Sequence, residues 1–216
     1  MIIAVSGVDC SGKSTQIARL VERLDSVGRT SEVRWYRPGY SDELDTLRAL
    51  LRRNSGVLPP PGAGKAREQA FSRPWVRSAW IAVALLDTLW TYGLKLRCAS
   101  WIGRLIICDR YVWDAVLDLH LRFPNQVSLD GFVAVLLRLV CPRPRVNVLL
   151  HLSADEALDR QAKKAEPFPD DRETFLKRHG IYDGWAEDGR FSVIDSERSI
   201  EEVHDEILSY LPGMTS

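Results

Sequence analysis

Gly7-Val-Asp-Cys-Ser-Gly-Lys-Ser14 fits the pattern G-x-x-x-x-G-K-[ST]. An apolar run, Ile2-Ile-Ala-Val-Ser6, precedes it, and a helical pattern through Ile17, Leu20, Val21 and Leu24 follows it. Strand, glycine-rich turn and helix in that order form a phosphate-binding loop, or P-loop. Glycines let the backbone close on an anion, so several N–H groups point at one phosphate. The helix N-terminus adds partial positive charge. Gly7, Asp9, Cys10, Ser11, Gly12, Lys13, Ser14 and Thr15 are therefore expected to hold the phosphates of ATP or a similar nucleotide. Lys13 should bridge the terminal phosphates, and the Ser14 hydroxyl should hold Mg²⁺.

A second apolar run, residues 105–108, ends in Cys108-Asp109-Arg110-Tyr111. In a parallel sheet this places Asp109 at the carboxyl edge, where ligands bind. A carboxylate there can hold Mg²⁺ or its water, and Arg110 can clamp a phosphate.

Working outward, short apolar runs alternate with helical patterns. Strands are expected at 2–6, 32–36, 105–108, 146–152 and 191–194. Helices are expected at 13–27, 43–53, 66–99 with a bend at Pro74, 112–121, 129–140, 154–164, 172–185 and 200–211. Residues 56–64, with Pro59-Pro60-Pro61, must be loop. Ser153-Ala-Asp-Glu156 and Ser199-Ile-Glu-Glu202 have capping-box form. Such alternation predicts an α/β fold: a P-loop three-layer sandwich, its parallel central sheet flanked by helices. No repeat or linker divides the chain, so one domain over residues 1–216 is expected.

The 29 basic and 29 acidic residues cancel, so no basic excess argues for a nucleic-acid partner. Cys10, Cys98, Cys108 and Cys141 form no C-x-x-C pair, which argues against a zinc site of that type and for reduced thiols in the cytoplasm. No basic segment precedes residues 1–6, so no leader is expected. Residues 79–86 are apolar but far short of the roughly 20 that span a bilayer, so no stable membrane insertion is expected. Five of the seven tryptophans lie between residues 75 and 113, on a core or dimer-interface helix.

The chain resembles the thymidylate kinases. The similar stretches run in order over most of it: GVDCSGKST at 7–15, CDRY at 108–111, SADEALDR at 153–160, FLKRHGIY at 175–182 and VIDSERSIEEV at 193–203. The resemblance implies a Mg²⁺- and ATP-dependent kinase, a homodimer, and dTMP as acceptor. It implies that Asp9 contacts the acceptor sugar and that Arg37, in Tyr36-Arg-Pro-Gly39, touches the transferring phosphates. Asp109, Arg110 and Tyr111 match the family's D-R-Y strand end. Arg160 matches the arginine that opens a mobile lid, here about residues 160–172, where Lys163, Lys164 and Arg172 add charge. Lysines there also suit a solvated helix face.

Departures from the family gather on the acceptor side. Pro38 follows Arg37 directly, without the family's intervening glutamate. The family's Ala-Asp-Arg segment aligns near Leu86-Asp87-Thr88, with no arginine. After D-R-Y the chain reads Val112-Trp-Asp-Ala-Val-Leu-Asp-Leu-His120. Acid is gained at Asp87, Asp114 and Asp118, and the last two share a helix face. Such a face would repel a dianionic nucleotide and could serve a hydroxyl acceptor as base. Alternatively, these acids pair with Arg73, Arg77 or Arg122 and leave dTMP chemistry intact. Three readings stand: a kinase of dTMP or a related nucleotide, a small-molecule kinase on the same scaffold, and a nucleotide-binding regulator without turnover. The Lys13, Ser14, Asp109 and Arg110 set argues against the third. A GTPase is disfavoured, since no N-K-x-D-like motif appears and residues 149–153 read LLHLS.

Overall fold

Five short strands make the sheet; the three central ones are buried on both faces and carry apolar side chains on both, whereas the two edge strands are largely open. The five are β1 (Ile2–Ser6), β2 (Ser31–Trp35), β3 (Leu105–Asp109), β4 (Val146–His151) and β5 (Ser192–Asp195). All pairings are parallel, in the order β2-β3-β1-β4-β5. Flanking helices give the expected P-loop α/β architecture. The computed structural model describes residues 1–35, 38, 69–163 and 171–212. The expected helix at 43–53, the loop at 56–64, Arg37, Lys164 and the middle of the lid lie outside these residues.

The chain divides into two compact units. The first comprises residues 1–35, 99–111 and 143–216 and contains the whole sheet. Its helices include α1 (Lys13–Ser26), and Gly28 at φ +72° follows that helix as its expected stop. Ile3, Val5, Ile17, Leu20, Leu24, Ile107, Val148, Leu150 and Ile194 form its core. The second unit comprises residues 36–98 and 112–142. There α2 (Pro74–Thr88) passes into a π-helical segment, Leu89–Lys95, and then into α3 (Leu96–Trp101), which runs on into the first unit. Two more helices among the described residues, α4 (Val112–Arg122) and α5 (Phe132–Val140), belong to it. Phe71, Trp80, Val83, Leu119 and Phe123 are its core, with Phe71 edge-on to Trp80 and Phe123.

Pro74 breaks the long helical region as expected and sits at the start of α2, where its missing N–H costs nothing. The π-helical segment was not expected. Its residue Gly93 lies so close to α5 that a Cβ would meet Val140 Cγ1 at 2.9 Å. Arg97 donates to the Gly93 carbonyl at 3.4 Å and also to the Val140 carbonyl at the end of α5. The extra residue per turn thus serves a tertiary contact. Likewise, α5 starts at Phe132, three residues after the expected Leu129, because Gly131 in extended conformation precedes it.

The first unit ends with α6 (Ala154–Lys163), α7 (Arg172–Glu187) and α8 (Ile200–Ser209). Ser199 forms a complete capping box with Glu202, a contribution of about 1 kcal/mol. At Ser153 the box is only half made. Glu156 N donates to Ser153 Oγ at 3.4 Å, but the Glu156 carboxylate takes Arg160 at 2.6 Å. Glu197 accepts the Ser153 N–H instead, at 2.7 Å, and hydrogen bonding from the Ser153 side chain and backbone holds the Glu197 carboxyl below its usual range.

Candidate active site

The P-loop starts where β1 ends. Gly7, Cys10 and Gly12 take φ of +146°, +66° and +89°. A Cβ on Gly7 would stand 2.6 Å from the Leu150 carbonyl oxygen and 2.7 Å from Ser11 Oγ, so only glycine lets the chain pass. Cys10 accepts the left-handed region without being glycine, a form of strain that gathers at functional sites. The loop delivers Gly12 to the N-cap of α1. No side chain caps that helix and no acid lies in its first turn, so no side-chain group there competes with an anion for its first N–H groups.

Lys13 is buried, and its ammonium donates to the carbonyls of Gly7 at 3.0 Å and Val8 at 2.7 Å. It is thereby held across the loop. Ser14 and Thr15, next in the same turn, are exposed. Ser11 Oγ is buried in the loop.

Register brings β3 alongside: Val5 of β1 pairs with Asp109. Arg110 then adopts φ +75° while its N–H donates to the Val5 carbonyl at 2.9 Å. This turn carries the guanidinium to Asp9, with which it forms a hydrogen-bonded ion pair. The acid inside the P-loop and the arginine after β3 thus join across 101 residues of sequence. Tyr111 is buried.

Arg160, on α6, is fixed by Glu156 at 2.6 Å and by the Ser196 carbonyl at 3.2 Å. With Ser11, Gly12, Thr15, Ser196 and Arg198 it lines a cavity of about 290 Å³. Gln16, Ser196 and Arg198 are lining residues that sequence reasoning missed. They fall within or beside matched stretches, but only their helix-capping pattern was read.

The acids of the rewritten acceptor side belong to the second unit. Asp87 on α2 and Asp114 on α4 are 0% and 1% exposed, and Asp118 is half-buried on the face of Asp114. All three have polar partners, as buried carboxylates must. Lys163 is exposed. No helix among the described residues is long and apolar enough to cross a membrane.

The family model for thymidylate kinase matches residues 91–207, more than half of the chain. The protein belongs to the thymidylate kinase family. A thymidylate kinase of Solidesulfovibrio magneticus is 29% identical over 96% of this chain and 96% of its own length. That of Symbiobacterium thermophilum is 28% identical over 96% and 90%. A probable thymidylate kinase of Methanocaldococcus jannaschii is 26% identical over 99% and 97%. The family model begins beyond the P-loop, but the relatives align over nearly the whole chain. The protein is accordingly a kinase, with ATP as the phosphoryl donor of its family.

Proposed function

We propose that this thymidylate kinase family member transfers the γ-phosphoryl group of ATP to dTMP. The observation that carries the reading is the junction of Asp9 with Arg110 beside Lys13. It sets an acid and two cations around one P-loop, with Asp109 at the adjoining strand end. Lys13 and Arg110 neutralise charge on the transferring phosphoryl, and Asp9 orients the acceptor sugar. Such transfer is mostly positioning and charge stabilisation. The cavity beside Arg160 takes the nucleoside end of ATP, whose base can stack on the fixed guanidinium.

Mg²⁺ fits the donors present. The Ser14 hydroxyl and the Asp109 carboxylate are hard oxygen ligands from adjoining elements, the type this ion selects. They would hold the ion, which when bound offsets phosphate charge. The acids Asp87 and Asp114 support the same acceptor. Their burial leaves neither carboxylate open to an alcohol, although Asp118 beside them is half-buried.

The test is ADP release with ATP and Mg²⁺ over a panel of dTMP, thymidine, other nucleotides and simple alcohols. Expected is acceleration by dTMP of at least about 10²-fold, the scale on which acceptor positioning acts. Equal or greater stimulation by a non-nucleotide alcohol would overturn the acceptor assignment.

The working form is a cytoplasmic homodimer. Cys10, Cys98, Cys108 and Cys141 form no disulfide, and burial pushes the Cys141 thiol up to about 12, where it is inert. In the second unit Leu86, Trp90 and Leu94 recur every fourth residue and are 59%, 46% and 47% exposed. Phe132, Val135 and Leu139 are exposed on α5. Apolar surface of this kind marks an interface. Light scattering should give twice the chain mass for the wild type and the chain mass for Leu86→Asp with Leu94→Asp. A monomeric wild type would refute the dimer.

A further inference from the structure

Away from the P-loop, the first unit gathers three metal-binding side chains. His151 closes β4, and its Nε2 lies 2.7 Å from Asp183 Oδ1. His179, one turn before Asp183 on α7, places Nδ1 at 3.0 Å from Asp183 Oδ2. The donor atoms of the three all lie within 4.8 Å of one another. Four ligands held at about 2.0 Å from zinc stand about 3.3 Å apart. The two histidine–carboxylate separations are slightly under that spacing and the donor atoms reach at most 4.8 Å, so small adjustments, opening the first and closing the second, bring all three onto one ion.

The hydrogen bonding of His179 decides what belongs there. Its Nε2 is 2.8 Å from the Leu152 carbonyl oxygen. A carbonyl only accepts, so Nε2 carries the ring proton. In the neutral ring Nδ1 then presents a lone pair, directly at a carboxylate oxygen. Two lone pairs at this distance repel unless a positive charge lies between them. An imidazole that donates its far N–H to a backbone carbonyl while aiming its other nitrogen at a shared point has the tautomer and orientation of a metal ligand. His179 is mostly buried and fixed, whereas His151 and Asp183 are partly exposed and leave solvent access.

We propose that His151 Nε2, His179 Nδ1 and the Asp183 carboxylate bind one divalent cation of the zinc class. Two imidazoles and one carboxylate with an open fourth position suit Zn²⁺ or Co²⁺, and not the hard, oxygen-seeking Mg²⁺. The ion ties the middle of α7 to the end of β4. It leaves the Ser14 and Asp109 oxygens to their own chemistry. The inference is independent of the identity of the phosphoryl acceptor.

The full chain, stripped with chelator and dialysed, is titrated calorimetrically with Zn²⁺ alone and again in millimolar Mg²⁺. One equivalent should bind in both titrations, and the melting temperature should rise with free Zn²⁺ by mass action. His151→Ala and Asp183→Asn, at partly exposed positions, should stay folded by circular dichroism. Each should weaken zinc binding by at least about tenfold, the lower end for loss of a group that shapes a metal site. Absence of zinc binding by the wild type would overturn the proposal and mean that a proton sits between His179 and Asp183. Binding that survives both substitutions would overturn it and place the ion elsewhere in the chain. Displacement by Mg²⁺ would overturn the assigned metal class.

Discussion

Lys13→Ala should lower kcat by about 10²–10³-fold, the effect of removing one donor aimed at a developing oxyanion. It should also weaken ATP binding clearly. The argument begins with where the ammonium is held. Lys13 follows the N-cap of α1, and its side chain crosses the loop to the Gly7 and Val8 carbonyls. This fixes a full positive charge against the concavity formed by the loop amides. The two carbonyls are modest partners for a nearly buried cation. Exchanging them for phosphate oxygens strengthens its interactions, because charge-assisted bonds to anions are the stronger kind. Folding should be little affected, since removing a buried ammonium also removes its desolvation cost. Kinase assay, ATP calorimetry and a urea melt on one preparation separate these effects. Unchanged ATP affinity and turnover would show that the loop at 7–15 is not the donor site.

The sheet and the P-loop were legible in sequence because both are local statements. The three central strands are apolar runs, and the loop is one pattern between a strand and a helix. Arg110 was legible as a phosphate-site residue, but its bond to Asp9 was not. That bond depends on the pairing of β3 with β1 and on a positive φ that the D-R-Y letters do not announce. The two capping boxes show the same boundary. Ser199 and Glu202 meet because nothing distant competes. At Ser153 the same spacing is overruled by Arg160 from one side and by Glu197, 44 residues away, from the other.

The acceptor side teaches the converse. Asp114 and Asp118 do share a helix face, as their spacing requires. Spacing cannot say whether the face is open or closed, and Asp114 is closed. The π-helical turn at Leu89–Lys95 coincides with the close approach of Gly93 to Val140, a contact invisible to any helical period. The cluster at His151 and Asp183 escaped notice for a related reason. It joins a strand end to a helix 32 residues later, and only the fold makes them neighbours.

Gly7→Ala should be strongly damaging, costing about 2–6 kcal/mol. A residue held in a region reserved for glycine contributes about 1–3 kcal/mol of strain. Overpacking adds about 1–3 kcal/mol more. The second contribution arises because the added methyl meets the Leu150 carbonyl oxygen at 2.6 Å. That atom is backbone of β4, which is paired on both sides by β1 and β5, and it cannot swing away. Ser11 Oγ, at 2.7 Å, is itself buried in the loop. If the chain does fold, the loop must lift from β4, and the amides no longer converge on one phosphate. Gly12→Ala is the informative companion. Gly12 also has positive φ, at +89°, but an added Cβ would find nothing within 4 Å. It should therefore lose only the backbone contribution, about 1–2 kcal/mol. Urea melts of both variants measure the difference, and ATP titration measures its consequence for the site. Equal losses would mean that backbone conformation alone dictates glycine at position 7. A larger loss at Gly7 would mean that the strand β4 is part of the phosphate cradle, pressing the loop into the shape that binds.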